Sequence, residues 1–541
     1  MWLQTYSPVA GNLGWSALVA AIPVFVLVYT LGIRRMSAWK ASLLGLGAAE
    51  LIALLVYRMP PVLSLSALAY GAAFGLFPIG WIVYWAIVLY RVTLETGKFE
   101  IVKDSIGRLT SEPQLQALLI AFAFGAFIEG ACGFGSPVAV AAAMLTGLGF
   151  TPFYAAALCL LANTAPVAFG SIGIPVVTLS TVTGLPLLKL SADVGRICAP
   201  VSVIVPAYLI VVMGGWRALR AVFPAVLVCG LTFAGTQLLV SNTLGPYLTD
   251  ILGSLAAMLG LVVLLRFWKP QRVSGGEAPG SNPAPGPHHS ASEVFAAWAP
   301  YGLLVVFVLV WGMGGVKAAF NSTNVLIHWP GLHNQIAQVA PVVAKTTPYA
   351  AIYTFSWLSV SGTACMFAAL LSTVILRMSP RQTVRLLAAT ARQLALPLIT
   401  IAAVLALAFL MNYSGATVTL GLAFASTSLL FPFFSPLLGW LGVFLTGSDT
   451  SCNALFGNLQ VVTAGRLGLN PVLMAAANSS GGVMGKMISV QSICVAVAAT
   501  GMKTSDEAKL FRFMLRHSII LASVIGLITL LYSYVIPQWV R

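Results

Sequence analysis

The chain has 541 residues, of which 59% are hydrophobic and 8% charged. Soluble domains carry roughly 25% charge, so this composition excludes them and leaves a polytopic membrane protein. The formal net charge of +15 is no nucleic-acid signature, because the bases fall mostly in short loops between apolar runs, where they set topology.

The first basic residue is Arg34, so the N-terminus lacks the basic region of a cleaved signal peptide and the first apolar run is expected to stay. Runs long enough to cross a bilayer, about 20 residues each, occupy 13–33, 38–57, 190–211, 221–240, 248–267, 296–316, 350–376, 393–412 and 517–537. The stretches 62–91, 113–184 and 414–501 are equally apolar but punctuated by Gly and Pro, and should hold several shorter helices. The expected fold is an all-α polytopic membrane protein of about 12–14 membrane segments, re-entrant pieces included.

Lys and Arg cluster at Arg34/Arg35/Lys40, Arg91/Lys98/Lys103/Arg108, Arg217/Arg220, Arg266/Lys269/Arg272, Arg377/Arg381/Arg385/Arg392 and Lys503/Lys509/Arg512/Arg516. Placing these inside puts both termini, Ser241–Tyr247 and the loop 321–345 outside. Arg58, beside Pro60, is a lone exception. Residues 98–112 and 378–395 mix apolar and charged positions in the manner of interfacial helices. Segment 271–295 is rich in Gly, Pro and Ser and reads as a flexible cytoplasmic linker carrying His288 and His289. It separates a first half, 1–270, from a second half, 296–541.

Each half holds a pair of broken apolar motifs, at 125–175 and 442–493. The first opens FIEGACGFGSPVAV and closes LANTAPVAFGSIGIP; the second reads FLTGSDTSC and then ANSSGGVMGKMI. Gly130 to Asn163 spans 33 residues and Gly447 to Asn478 spans 31; Gly170 and Gly485 each follow seven residues after the asparagine. Broken backbone survives in hydrocarbon only when buried in protein or lining a cavity. Its recurrence in corresponding places of two halves is the best sequence pointer to a secondary transporter's site.

The motifs supply what a small carboxylate needs: helix N-termini, hydroxyl and amide donors, and few bases. Asn163, Thr164, Ser171 and Ser136 in the first half, and Ser448, Asn453, Asn478, Ser479 and Ser480 in the second, are the candidate donors. Asn163–Thr164 and Asn478–Ser480 each precede a break and are expected to cap new half-helices. Lys486 is costly in a membrane unless it meets an anion or a wet cavity, and Arg392 is a second candidate base. Glu129 and Asp449 are placed to carry a proton. No cofactor is expected beyond the proton as coupling ion. Sodium competes for that role, since unwound carbonyls with Ser448, Thr450 and Asn453 would ligate it. The seven cysteines lack metal-ligand spacing, and Walker, dinucleotide and haem-ligating patterns are missing, so no enzyme activity is expected.

At QALLIAFAFGAFIEGACGFGSPVAV (116–140), YAAALCLLANTAPVAFGSIGIPV (154–176), LGWLGVFLTGSDTSCNALFGNLQ (438–460) and AANSSGGVMGKMISVQSI (476–493) the chain resembles the bacterial lactate permease family. Weaker similarity extends over most of its length. The resemblance implies proton-coupled uptake of lactate, often also glycolate, across the bacterial inner membrane, by inverted repeats with hairpins. The motifs leave the choice between the two substrates, and between D and L forms, open. The implied partners are a small monocarboxylate and membrane lipid, with no nucleic acid. A sodium-coupled carboxylate carrier, a passive anion channel and a membrane subunit of a respiratory dehydrogenase are the rival readings.

Long surface loops tolerate changes of length. Deleting about ten residues within 274–290 should therefore leave insertion and uptake nearly intact, as measured by membrane yield and lactate accumulation in cells.

Overall fold

In the computed structural model, residues 1–34, 36–133, 135–268, 289–343, 345–503 and 506–540 are described. Most of the Gly/Pro/Ser-rich segment, His288 included, lies outside them. Eleven helices among the described residues are long and apolar enough to cross a membrane, and twelve if a pair bent by 63° counts as one span.

The first half begins with α1 (Leu13–Leu31), α2 (Ala38–Leu55) and α3 (Pro61–Glu95). A short α4 (Lys98–Gly107) buries Phe99, Val102 and Ile106, the one-faced spacing of the interfacial helix expected there. It leads into α5 (Pro113–Ala131), after which the chain turns back into α6 (Ser136–Gly147). Next comes the bent pair, α7 (Pro152–Ala162) and α8 (Gly170–Thr183). α9 (Leu187–Thr243) joins two of the expected runs in one assigned helix, broken at Gly215 (φ +69°) and Val222. Arg217 and Arg220 lie at that break, where a cytoplasmic turn is expected. α10 (Thr249–Phe267) ends the half.

The second half opens with α11 (Ala291–Gly312), whose start is a capping box. Ser290 Oγ accepts from Glu293 N at 3.2 Å, and Ser290 N donates to Glu293 Oε2 at 2.8 Å. The expected linker thus ends at 290, not 295. His289, its last imidazole, meets Asp104 of α4 at 2.9 Å. α12 (Ser361–Ile375) occupies only the end of the expected run 350–376. Before it, β5 (Ile352–Phe355) pairs antiparallel with β2 (Val325–His328), because β-branched and aromatic residues there favour a pleated surface. β1 (Trp2–Leu3) pairs with β3 (Ile336–Gln338), which pairs with β4 (Thr347–Pro348). The N-terminus and the 321–345 loop therefore share a face, as the basic residues require.

Residues 378–395 are no separate interfacial helix. They are the first turns of α13 (Pro380–Ser414), which runs on through Pro397. After α14 (Ala416–Phe424), α15 (Phe431–Thr446) turns at Gly447 into α16 (Asp449–Leu467). α17 (Pro471–Lys486) breaks at 487–489 into α18 (Val490–Thr500), and α19 (Glu507–Tyr534) closes the fold. Lys509 lies over the Phe153 ring at 5.3 Å, so the turn before α7 sits on the same face as the last basic cluster.

α15 and α17 pack backbone to backbone. A Cβ on Gly439 would strike the Asn478 carbonyl, one on Gly481 the Pro436 carbonyl, and one on Gly485 the Trp440 carbonyl. Such small-residue seams let membrane helices associate without a hydrophobic driving force. Overpacking a tight contact costs about 1–3 kcal/mol, and here the obstacle is main chain. Gly481→Val should lower the melting temperature and monodisperse yield in detergent; an unchanged melt would mean that the seam opens freely.

Candidate functional site

The two turning hairpins and the two bent helices meet around a cavity of about 260 Å³. Glu129, Ser171, Ser448, Asp449 and Lys486 line it, with Thr446, Gln491 and Thr400. Trp39 and Ala38 form one wall, at the start of α2 beside the basic cluster of Arg34 and Lys40, so the cavity reaches towards the face assigned to the cytoplasm.

Each hairpin ends its descending helix at that cavity, and each exposed carbonyl is met by a side chain from its own half's bent helix. Ser171 Oγ donates to the Cys132 carbonyl at 3.0 Å, and Lys486 Nζ donates to the Gly447 carbonyl at 2.6 Å. A hydroxyl and an ammonium thus do the same job in the two halves. Ser171, Ile172 and Gly173 are consecutive residues with positive φ (+48°, +58° and +73°). Left-handed backbone costs roughly 1–2 kcal/mol per non-glycine residue, and such strain clusters at ligand sites. Gly170 has no room for a Cβ, since Glu129 Oε1 would lie 2.5 Å from it.

Lys486 is buried, and it closes no ion pair with Glu129 or Asp449, although both carboxylates act on it electrostatically. Asp449 is held by one oxygen only: Oδ2 accepts from Ser479 Oγ at 2.7 Å and from Asn453 Nδ2 at 3.3 Å, and Oδ1 has no partner. Asn453 Nδ2 also donates to the Pro175 carbonyl at 3.1 Å, which ties α16 to α8 across the halves. Asn478 Nδ2 donates to Asn453 Oδ1 at 3.0 Å, and Gln460 Nε2 to Asn478 Oδ1 at 3.1 Å. On the other side, Glu129 Oε2 and both amide atoms of the neighbouring Asn163 are buried without hydrogen bonds.

The expected half-helix caps are not where the motifs suggested. Asn163 is the C-cap that follows α7, and Asn478, Ser479 and Ser480 sit within the unbroken α17. Ser448 and Ser489 are the N-caps at the second half's breaks, accepting from the backbone of Ser451 and Ser492. The α-helical pattern overrides the polar run because every backbone group there finds its i−4 partner. Of the candidate substrate contacts, Ser171, Ser448 and Lys486 line the cavity and the other eight do not. Thr164 Oγ1 is turned back onto the Leu161 carbonyl at 2.7 Å. Ser136 is half-buried in the first turn of α6, and Ser480 Oγ is buried behind the wall without a partner. Arg392 is exposed on α13, one turn before the lining residue Leu396, because that stretch faces outward. Sequence reasoning missed Gln491, Thr446 and Trp39, and also Asp250, a lone acid in an apolar run whose position alone was the signal.

The family model described as L-lactate permease matches residues 16–536. The chain is 46% identical over 568 residues to the L-lactate permease of Bacillus subtilis (strain 168), covering 99% of this chain and 100% of that protein. It is 45% identical over 553 residues to the glycolate permease GlcA of Escherichia coli (strain K12), covering 99% and 98%. The L-lactate permease of Escherichia coli (strain K12) is 44% identical over 546 residues, with 99% of each chain covered. The chain therefore belongs to the L-lactate permease family.

Proposed function

We propose that this protein takes up lactate and related small 2-hydroxymonocarboxylates, glycolate among them, together with a proton across the bacterial inner membrane. The observation that carries the reading is one lysine and two carboxyl groups lining one buried cavity at the breaks of both halves. Lys486 uses one of its three N–H groups on the Gly447 carbonyl. The remaining donors are available to a substrate carboxylate.

Charge counting then gives the coupling. With Glu129 and Asp449 both ionised, the cavity holds one positive and two negative charges and repels an anion. Each proton taken up by a carboxylate removes one negative charge, so protonation and lactate binding favour each other, and by linkage the effect is reciprocal. Lactate affinity should rise as pH falls. A single cation suits a monocarboxylate; a dicarboxylate would favour a second base where Ser171 stands.

The two hairpins are proposed to enter from opposite faces. α5 follows the basic segment 98–108, whereas α15 follows residues tied to the outer surface: Thr419 Oγ1 donates to the Tyr6 carbonyl at 2.9 Å, and Tyr534 OH to the Leu429 carbonyl at 3.1 Å. With Trp39 and Ala38 on its wall, the cavity lies nearer the cytoplasmic side in this reading.

Two experiments test this reading. In proteoliposomes an inward proton gradient alone should drive lactate accumulation in sodium-free buffer; accumulation that needs sodium and ignores pH would replace the proton with sodium, and flux that never exceeds equilibrium would make the protein a channel. Lys486→Ala should abolish uptake while still reaching the membrane, and Lys486→Arg should retain little activity, because a planar fork misplaces a substrate fitted to a point charge. Loss of a charge-assisted hydrogen bond weakens binding by roughly 1.5–3 kcal/mol, one to two decades in affinity. Calorimetry on purified Lys486→Ala would read this, and wild-type affinity would give the lysine a structural role only.

A further inference from the structure

Asp250 lies in the first turn of α10, just after the outer loop 244–248. It is 1% exposed, and neither carboxyl oxygen has a hydrogen-bond partner. It does not cap its helix: the N-cap is Leu248, with no side-chain cap hydrogen bond. Its Cβ packs on the backbone beside Glu129, 2.8 Å from where a Cβ on Gly130 would stand, so Gly130 makes room for it. Glu129 Oε2 is likewise unpartnered. Pro246, four residues before Asp250, packs on the left-handed turn at Gly173.

The groups that act on Asp250 are Glu129 from α5 and the Cys198 thiol from α9; α8, also packed on α10, contributes no titratable side chain. Among the described residues no cation is seen to offset it. An ionised carboxylate in that setting is costly without a partner, while the positive end of α10 makes a transient negative charge accessible. Two carboxyl groups so placed titrate as a pair.

Resting on the proton-coupled reading above, we propose that Asp250 is the outer proton-relay residue, handing its proton to Glu129. The O–H bond of Asp250 breaks as an O–H bond of Glu129 forms, with no change in total charge. Asp250 is reprotonated from water on the outer side, and Glu129 releases its proton to water in the cavity. Glu129 faces the substrate cavity and Asp250 does not. The relay therefore separates the proton's outer route from the lactate site.

The test uses the full-length protein in proteoliposomes. Asp250→Asn keeps the size and removes the titrating proton. Accumulation driven by a pH gradient should fall at least tenfold, and lactate-linked alkalinisation of the medium should vanish. Exchange of labelled for unlabelled lactate should persist, with its dependence on external pH flattened. Asp250→Glu should recover part of the accumulation. If Asp250→Asn is not recovered folded, Asp250→Ser, smaller and equally non-titrating, is read in the same way. Wild-type accumulation in the non-titrating variant, or loss of exchange and accumulation together in folded protein, overturns the relay. Failure of wild-type protein itself to accumulate lactate would instead overturn the proton-coupled reading.

Discussion

Everything at the centre of this protein depends on satisfying main-chain carbonyls that have been taken out of helices and left in a membrane interior. In hydrocarbon an unpaired carbonyl costs several kcal/mol, so a broken helix is tolerated only where something replaces the lost partner. Here the replacements are Ser171 on the Cys132 carbonyl and Lys486 on the Gly447 carbonyl. The first is neutral and the second is charged. The two halves therefore meet the cavity with different charge, although both contribute to its lining.

The polar network behind Asp449 has a complementary role. Ser479, Asn453, Asn478 and Gln460 form a connected chain of hydrogen bonds among α15, α16 and α17. Satisfied buried networks rigidify, and this one is satisfied apart from Gln460 Oε1 and Asp449 Oδ1. Asp449 Oδ2 is locked by this network, while Oδ1 is left without a partner beside the cavity. One carboxylate is therefore fixed in orientation yet keeps one unpartnered oxygen. Glu129 has no comparable support: the Asn163 side chain completes no hydrogen bond, and Oε1 occupies the room left by the missing side chains of Gly170 and Gly133.

Much of this was legible in the residues. Gly and Pro marked both hairpins and both bent helices, and the charged residues in the motifs reached the cavity. The misreadings share a cause. Asn478–Ser480 looked like a cap because small polar residues favour caps in isolation, but a helix buried on all sides keeps its own ladder and turns those side chains to neighbouring helices. Residues 378–395 looked interfacial from their charges, yet nothing local ends the helix before Ser414, since Pro397 is tolerated inside a membrane helix. Ile352–Phe355 read as the start of a span because strand and buried helix share an apolar run; the partner strand, 27 residues earlier, decided it. Asp250 carried no motif at all, and only the fold brings it to Glu129.

The outer tie between the N-terminus and the second half has a consequence for biogenesis. Trp2 and Leu3 pair with Ile336 and Ala337, and Gln4 Nε2 donates to the carbonyls of Asn412 and Tyr413 at 2.9 and 2.8 Å. Those partners are more than 330 residues downstream and emerge from the ribosome long after the N-terminus has crossed. At synthesis rates of about 5–20 residues per second, the first residues wait unpaired for tens of seconds. The clasp closes only once the second half's outer loop and α13 are in place, so it registers that both halves are inserted.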